Sequence, residues 1–358
     1  MSTQVCRFIV AGVPGITRQK PNRTLRLTVL LGIVLLSGCS LIKQAQDPVE
    51  PSVSSEPVAE PVIEQPIDTA PAPPPEPTPV RNRIVILLSD DVPSYVAIAE
   101  QISQRGSQHD FLTINLDRNK SLSTRMLEEV NAFKPDRIVA IGLNAARAGQ
   151  SYNDVPMVFC QVFNFADYEL LSATSNGVKL LPPFSLQFEL WKDLSPELQT
   201  AGIIIGAGQE SLVAEIQNAA AEHNIEVLTR IVKSDKETLF AFKRLTPMIQ
   251  GFLLLPDNRV LSPRVLRDIA SYSKKHGTQI VVFNPQLLQL GADISFSSRN
   301  ADIAETVLRV IDASAEQQSK RPTRMTALTT LRAEISPEVA SKLGTRTTEK
   351  LARYLSAE

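Results

Sequence analysis

From Arg81 onward the chain alternates two patterns of apolar positions. Short continuous apolar runs, which mark buried strands, are followed by stretches where apolar residues recur every three or four positions, which marks a helix with one buried face. The run Ile84-Val85-Ile86-Leu87-Leu88 predicts a strand, and Tyr95, Ile98, Ala99 and Ile102 predict a helix over 94–105. The same rhythm predicts strands at 111–115, 137–141 and 157–162, with helices at 123–133 and 144–149. It resumes with a helix at 185–194 and strands at 202–205, 225–231, 251–255 and 279–283, separated by helices at 211–223, 236–245 and 263–276. Strands with no polar alternation, joined by helices, call for parallel sheets covered on both faces. About 265 residues in this rhythm suit two α/β lobes better than one.

In open parallel sheets, ligands bind beyond the C-terminal ends of the strands. Here those loops read Ser89-Asp90-Asp91, Gly142-Leu143-Asn144, Gln161-Val162-Phe163-Asn164, Ala207-Gly208-Gln209-Glu210-Ser211, Pro256-Asp257-Asn258 and Asn284-Pro285. They are short and polar, and they sit at helix N-termini, where free backbone amides favour anions. The same residue types also cap helices for structural reasons alone, so their concentration at one edge of both lobes is the stronger signal.

Ahead of the folded pattern lie two segments of a different kind. A ten-residue, largely apolar stretch from Leu27 to Leu36 follows Arg18, Lys20, Arg23 and Arg26 and ends in Leu36-Ser37-Gly38-Cys39. This resembles a bacterial lipoprotein signal, in which Cys39 is acylated and becomes the first mature residue after removal of residues 1–38. A membrane span needs roughly 20 apolar residues, so the stretch is too short for one. From Asp47 to Val80 the chain then holds 11 prolines, seven acidic residues, no basic residue and no aromatic one. Such a segment buries too little apolar surface to offset the entropy of ordering, which predicts an extended tether over 39–81. At about 3.1 Å per residue it would reach on the order of 100 Å.

Charge and cysteine content narrow the chemistry. With 37 basic and 38 acidic side chains there is no electrostatic footprint for nucleic acid. Cys6 would leave with the signal and Cys39 would carry lipid, so Cys160 has no disulfide partner; inside Val158-Phe159-Cys160 it reads as a small buried hydrophobe. His109, His223 and His276 show no metal-ligand spacing. There is no G-x-S-x-G, P-loop or H-E-x-x-H motif, and Gly206-Ala207-Gly208 lacks the third glycine of a dinucleotide fingerprint. Neither catalysis nor a cofactor is expected. Trp191, the only tryptophan, lies on the apolar side of its helix and reads as packing.

Several ordered phrases resemble one family. Ile138-Val139-Ala140-Ile141-Gly142 with Asn144-Ala145-Ala146, Val155-Pro156-Met157-Val158-Phe159, Leu253-Leu254-Leu255-Pro256-Asp257-Asn258, Val281-Val282-Phe283 with Leu290-Gly291-Ala292, and Ala340-Ser341-Lys342-Leu343-Gly344 are similar to segments of the substrate-binding proteins of bacterial ABC transporters. These have the type I periplasmic binding fold, in a branch that includes tryptophan- and tyrosine-binding members. The resemblance implies two Rossmann-like lobes with parallel sheets, joined by three hinge crossovers at Leu181–Pro182, Phe283–Leu287 and Arg321–Met325. It implies a first lobe of 82–181 plus 286–322, a second of 182–285 plus 323–345, and a tail of 346–358. It also implies a ligand between the lobes. The chain departs from the family where an aspartate-proline pair is usual and Asn164-Phe165 stands, and where a "GNVTG" turn is usual and Ser175-Asn176-Gly177-Val178-Lys179 stands; Thr330 or a neighbour takes the place of an asparagine.

The resulting expectation is a lipid-anchored solute receptor of an ABC transport system. Its cleft wall would be Ser89, Asp90, Asn144, Gln161, Asn164, Gln209, Ser211, Asp257 and Asn284, its ligand a small molecule, amino-acid-like by kinship, and its partner a transporter permease. An ammonium group wants an acidic partner, which Asp90, Asp91, Glu210 or Asp257 would have to supply. The competing reading is an envelope interaction protein that keeps the fold without transport. It is favoured by Ser40, since a residue other than aspartate after the lipidated cysteine usually directs Gram-negative lipoproteins to the outer membrane, and by the long tether.

Overall fold

The computed structural model describes residues 81–316, 324–343 and 349–355. The lipoprotein signal with Cys39, the tether and the start of the expected crossover at Arg321 lie outside these residues. Two six-stranded sheets form the folded body. The first is built from β1 (Arg83–Leu88), β2 (Asp110–Asn115), β3 (Arg137–Ile141), β4 (Met157–Cys160) and β5 (Ser175–Val178), with α1 (Pro93–Arg105), α2 (Thr124–Phe133) and α3 (Leu143–Gly149) between strands. The second follows α4 (Phe184–Leu194) and holds β6 (Thr200–Gly206), β7 (Glu226–Val232), β8 (Gly251–Leu253), β9 (Gln279–Val282) and β10 (Ile294–Ser297), connected through α5 (Glu210–Ala221), α6 (Asp235–Leu245) and α7 (Pro263–His276). The chain returns to the first lobe in α8 (Asn300–Glu316) and β11 (Met325–Thr326), then ends in the second with β12 (Arg332–Ile335), α9 (Pro337–Leu343) and α10 (Glu349–Leu355).

Strand order is β11-β5-β4-β3-β1-β2 in one sheet and β12-β10-β9-β8-β6-β7 in the other. Pairing is parallel throughout except for β12, which runs antiparallel to β10. The continuous apolar strands are explained by burial on both faces. Along β1, Ile84, Ile86 and Leu88 enter the core shared with α1 and α8, while Val85 and Leu87 enter the core on the opposite face. Each such side chain removed from water is worth about 1.5–3 kcal/mol.

Three segments pass between the sheets: residues 179–183, 298–299 and 327–331. The first matches the crossover expected at Leu181–Pro182. The second does not lie at Phe283–Leu287, because Pro285–Leu290 forms a 3₁₀ turn capped by Asn284, whose side chain accepts from the Gln286 amide. Ile294 and Phe296 then fill the second lobe's core, so residues 286–297 belong to that lobe and not to the first. The third is displaced as well: Met325 and Thr326 pair with Gly177 and Val178 in the first sheet, so the crossing comes after them. Ser175–Val178, which stands where the family's turn is usual, is a strand paired with β4 on one side and β11 on the other. Trp191 is fully buried, stacked on Phe188 at 6.0 Å, and its indole N–H donates to Gln279.

Candidate functional site

The C-terminal strand ends of the two sheets face one another, and the loops they carry meet around Asp257. This residue follows the β8 strand and is 1% exposed. Its Oδ2 accepts from the Gly206 amide at 2.9 Å and from Arg259 Nη2 at 2.7 Å. Its Oδ1 accepts from Arg259 Nε at 2.8 Å, from the Arg259 amide at 3.2 Å and from Asn164 Nδ2 at 3.1 Å. Gly206 permits the approach, since a Cβ there would lie 2.9 Å from Asp257 Oδ2. Burial pushes the Asp257 carboxyl upward, but the hydrogen bonds from Arg259, the Gly206 amide and Asn164 outweigh it and hold the group below its ordinary value.

One of these contacts and three beside it join the lobes. Asn164, at the end of the loop after β4, donates to Asp257 and, at 3.2 Å, to Asn258, while its carbonyl oxygen accepts from Gln209 at 3.4 Å. Asp167, in the 3₁₀ turn Phe165–Tyr168, pairs with Arg259 Nη1 at 2.9 Å. A carboxylate at position 164 would face that of Asp257, whereas an amide donates to it.

On either side of the backbone around Phe163 and Leu180 lie two cavities. One, of about 510 Å³, holds Gln161, Asn164 and Asn284 of the expected wall, together with Tyr95, Arg299 and Arg332. Gln161 adopts φ +59°, the left-handed turn that ends β4 at Cys160, earlier than the strand expected to 162. The other, of about 570 Å³, is lined mainly by apolar groups such as Phe163, Phe165, Leu181 and Phe184, and contains Gln209 and Ser211. At its rim Lys179 pairs with Glu215 at 2.7 Å.

Ser89, Asp90 and Asn144 belong to neither lining and brace the first lobe's own loops. The buried Ser89 hydroxyl accepts from the Ala145 amide at 2.9 Å, and Gly142, at φ +89°, keeps the space beside it open; a Cβ there would meet Ser89 Oγ at 2.6 Å. Asp90 pairs with Arg118 at 2.6 Å, which holds its carboxyl below the ordinary range, and Asn144 Nδ2 donates to the Arg118 carbonyl at 3.2 Å. Asp257, as described, has its acceptor capacity filled by protein donors. The expected wall is therefore divided between two cavities, a junction and a set of loop braces.

Arg299 and Arg332 were not read from the sequence as wall residues. Arg299 lies in the second crossover and Arg332 directly follows the third, and the positions of both crossovers depend on β10 and β12. Arg332 lies 3.4 Å from Glu334, which also lines the polar cavity, and Arg299 is tied to Asp302 at 3.1 Å. Thr330 donates to the same Asp302 at 2.6 Å, fastening the third crossover to α8. Burial pushes the Cys160 thiol up to about 12, so it is not a nucleophile at neutral pH. Among the described residues no group of three or more histidine, cysteine or acidic side chains is placed to hold a metal ion, and no helix is long and apolar enough to cross a membrane.

Comparison with known proteins agrees with this architecture. The sequence profile of a family described as "ABC transporter substrate binding protein" matches residues 97–356. Among solved structures, an ABC domain in complex with L-Trp from Streptococcus pneumoniae is similar at TM-score 0.53 and 19% identity, covering 77% of this chain and 98% of its own. A conserved domain protein from Vibrio cholerae gives 0.51 and 18%, with the same coverage. The ligand-free, open form of a substrate-binding protein with adhesive properties from Clostridium difficile gives 0.57 and 15%, covering 75% and 96%. At these identities the likeness is one of fold. No curated protein sequence matches the chain.

Proposed function

The chain belongs to the ABC transporter substrate-binding protein family, and from that premise we propose that it is a lipid-anchored receptor that captures a small polar solute between its lobes and hands it to a membrane transporter. The observation that carries this reading is the cavity of about 510 Å³ between the lobes, whose lining includes the amide residues Gln161 and Asn164 from one lobe and Asn284 from the other, together with Arg332. A cavity of that size suits a small solute, with few polar groups fixing its orientation. Arg332 offers a carboxylate partner and Glu334 an ammonium partner. This supports an amino-acid-like ligand, as does the L-Trp bound to the Streptococcus relative. Closure about the three crossovers would bring both walls onto the solute, which favours the closed form by its extra contacts there. Cys39 anchors the body and the tether holds it away from the membrane.

A second reading, an envelope interaction protein with a degenerate cleft, is favoured by one observation. Asn164, Gln209 and Asp257, three of the expected ligand contacts, are bonded to one another. A thermal-shift screen of amino acids, nucleosides, sugars and small anions separates the two, because a solute that binds only the native state raises the midpoint by mass action. The receptor reading expects an amino-acid-like hit, weakened by Arg332→Gln by roughly one to two powers of ten in calorimetry. A well-folded protein that no solute stabilises moves the interaction reading ahead.

A further inference from the structure

The charged cluster at the lobe junction is larger than helix capping or loop bracing requires. The Asp257 carboxylate receives five donors, four of them from its own lobe, so it is a finished, buried acceptor. Arg259 is nevertheless not used up by it. Its Nη1 also reaches the Asp167 carboxylate of the facing lobe at 2.9 Å and the Ala207 carbonyl at 3.1 Å. Asn164 makes the second link, donating across the gap to Asp257 and Asn258 and accepting from Gln209. The cross-lobe links are thus polar and directional, and on the second lobe's side Arg259 is held in place by Asp257 and the Ala207 carbonyl.

We infer that these residues form a bolt between the lobes: Asp257 orients Arg259, and Arg259 with Asn258 and Gln209 locks onto Asp167 and Asn164. Part of the free energy that closes the lobes is then supplied by the chain itself. A closing solute has to shift the equilibrium by correspondingly less, because a ligand contributes only its differential affinity for the two forms. The Asp167–Arg259 pair, with both side chains about a third exposed (31% and 30%), is the salt-sensitive half of the bolt. The Asn164–Asp257 link is the buried, salt-insensitive half. This goes beyond the receptor reading and does not depend on it, since the bolt contains no solute.

Hydrogen exchange on the full-length chain, with no solute added, tests the bolt. In the unmodified protein the amides of 164–170, 206–210 and 257–260 exchange slowly. In Asn164→Ala/Asp167→Asn they exchange faster by about three- to ten-fold, while β1 and β6 are unchanged. Raising NaCl from 0.05 to 0.5 M accelerates the same segments in the unmodified protein and not in Asp167→Asn. Equal exchange at these segments in the unmodified and double-variant proteins, with the strands intact, overturns the inference. Should the double variant lose protection in β1 and β6, the salt series on the unmodified protein decides, and an unchanged rate there overturns the inference. A failed solute screen leaves either result standing.

Discussion

At the scale of single residues, the chemistry of this protein turns on how buried polar groups are partnered. Asp257 is stable as an anion in the interior only because five donors surround it. Replacing it by asparagine removes the charge on which Arg259 and the Gly206 amide converge. Asp257→Asn should lower the unfolding free energy by about 2–3 kcal/mol in urea titration at pH 7. The pH dependence follows from the direction of the shift. A carboxyl held below its ordinary value of 3.8 contributes stability that is complete above that value and drains away as the pH falls toward the folded-state value. The stability difference between the unmodified protein and the variant should therefore be flat from pH 5 to 8 and shrink below about pH 4; a difference that grows on acidification would contradict the assignment. Position in the sequence marked Asp257 out, at the end of a strand in a polar loop. What it touches was hidden, because Asn164 lies 93 residues away in the chain.

At the scale of elements, α4 shows how a helix is fixed by its apolar stripe. Phe184, Phe188, Trp191 and Leu194 recur at helical spacing, and all four enter the second lobe's core. Trp191 fits there because β8 opens with Gly251, whose missing side chain leaves room for the indole ring, and because Gln279 accepts its N–H. Trp191→Ala should destabilise the protein by about 3–5 kcal/mol through the cavity left behind. Because Trp191 lines neither interlobe cavity, solute affinity measured on the folded variant should stay within a factor of two. A selective loss of affinity without loss of stability would assign the ring to recognition after all. The elements hardest to read were β5, β10, β11 and β12. They are two to four residues long, and their strand character comes from pairing with distant partners such as Met325 with Gly177, not from any local apolar run.

At the scale of the molecule, the receptor proposal requires both a body whose lobes move about three crossovers and an attachment that keeps it at a membrane. The first is supported by the narrow connections at 179–183, 298–299 and 327–331, with the third fastened to α8 through Thr330 and Asp302. The second rests on Leu36-Ser37-Gly38-Cys39 and its basic flank. Cys39→Ala should leave a precursor that is neither cleaved nor acylated, whereas mass spectrometry of the unmodified protein should find Cys39 as the acylated first residue. An unmodified protein with no acyl chain, or with the same mature N-terminus as the variant, would remove the anchor from the proposal.

The sequence alone determined the α/β class, the two parallel sheets and most strand and helix positions, because burial on both faces imposes apolar runs that need no distant information. It also carried the family, through phrases such as Leu253-Leu254-Leu255-Pro256-Asp257-Asn258. Only the tertiary structure decided where the second and third crossings between lobes fall, since these depend on whether Ile294 and Phe296 fill one core or the other and on which sheet takes Met325. Only the structure decided the duties of the polar loop residues as well. Ser89, Asn144, Asn164, Asp257 and Asn284 are alike in sequence, each a hydrogen-bonding residue just past a strand. Distance and burial set one to capping α3, one to bracing a loop, two to joining the lobes and one to capping a turn at the cavity wall. A short polar side chain bonds to whatever lies within about 3 Å, and for all of these but Asn284 what lies there is settled by segments far away in the chain.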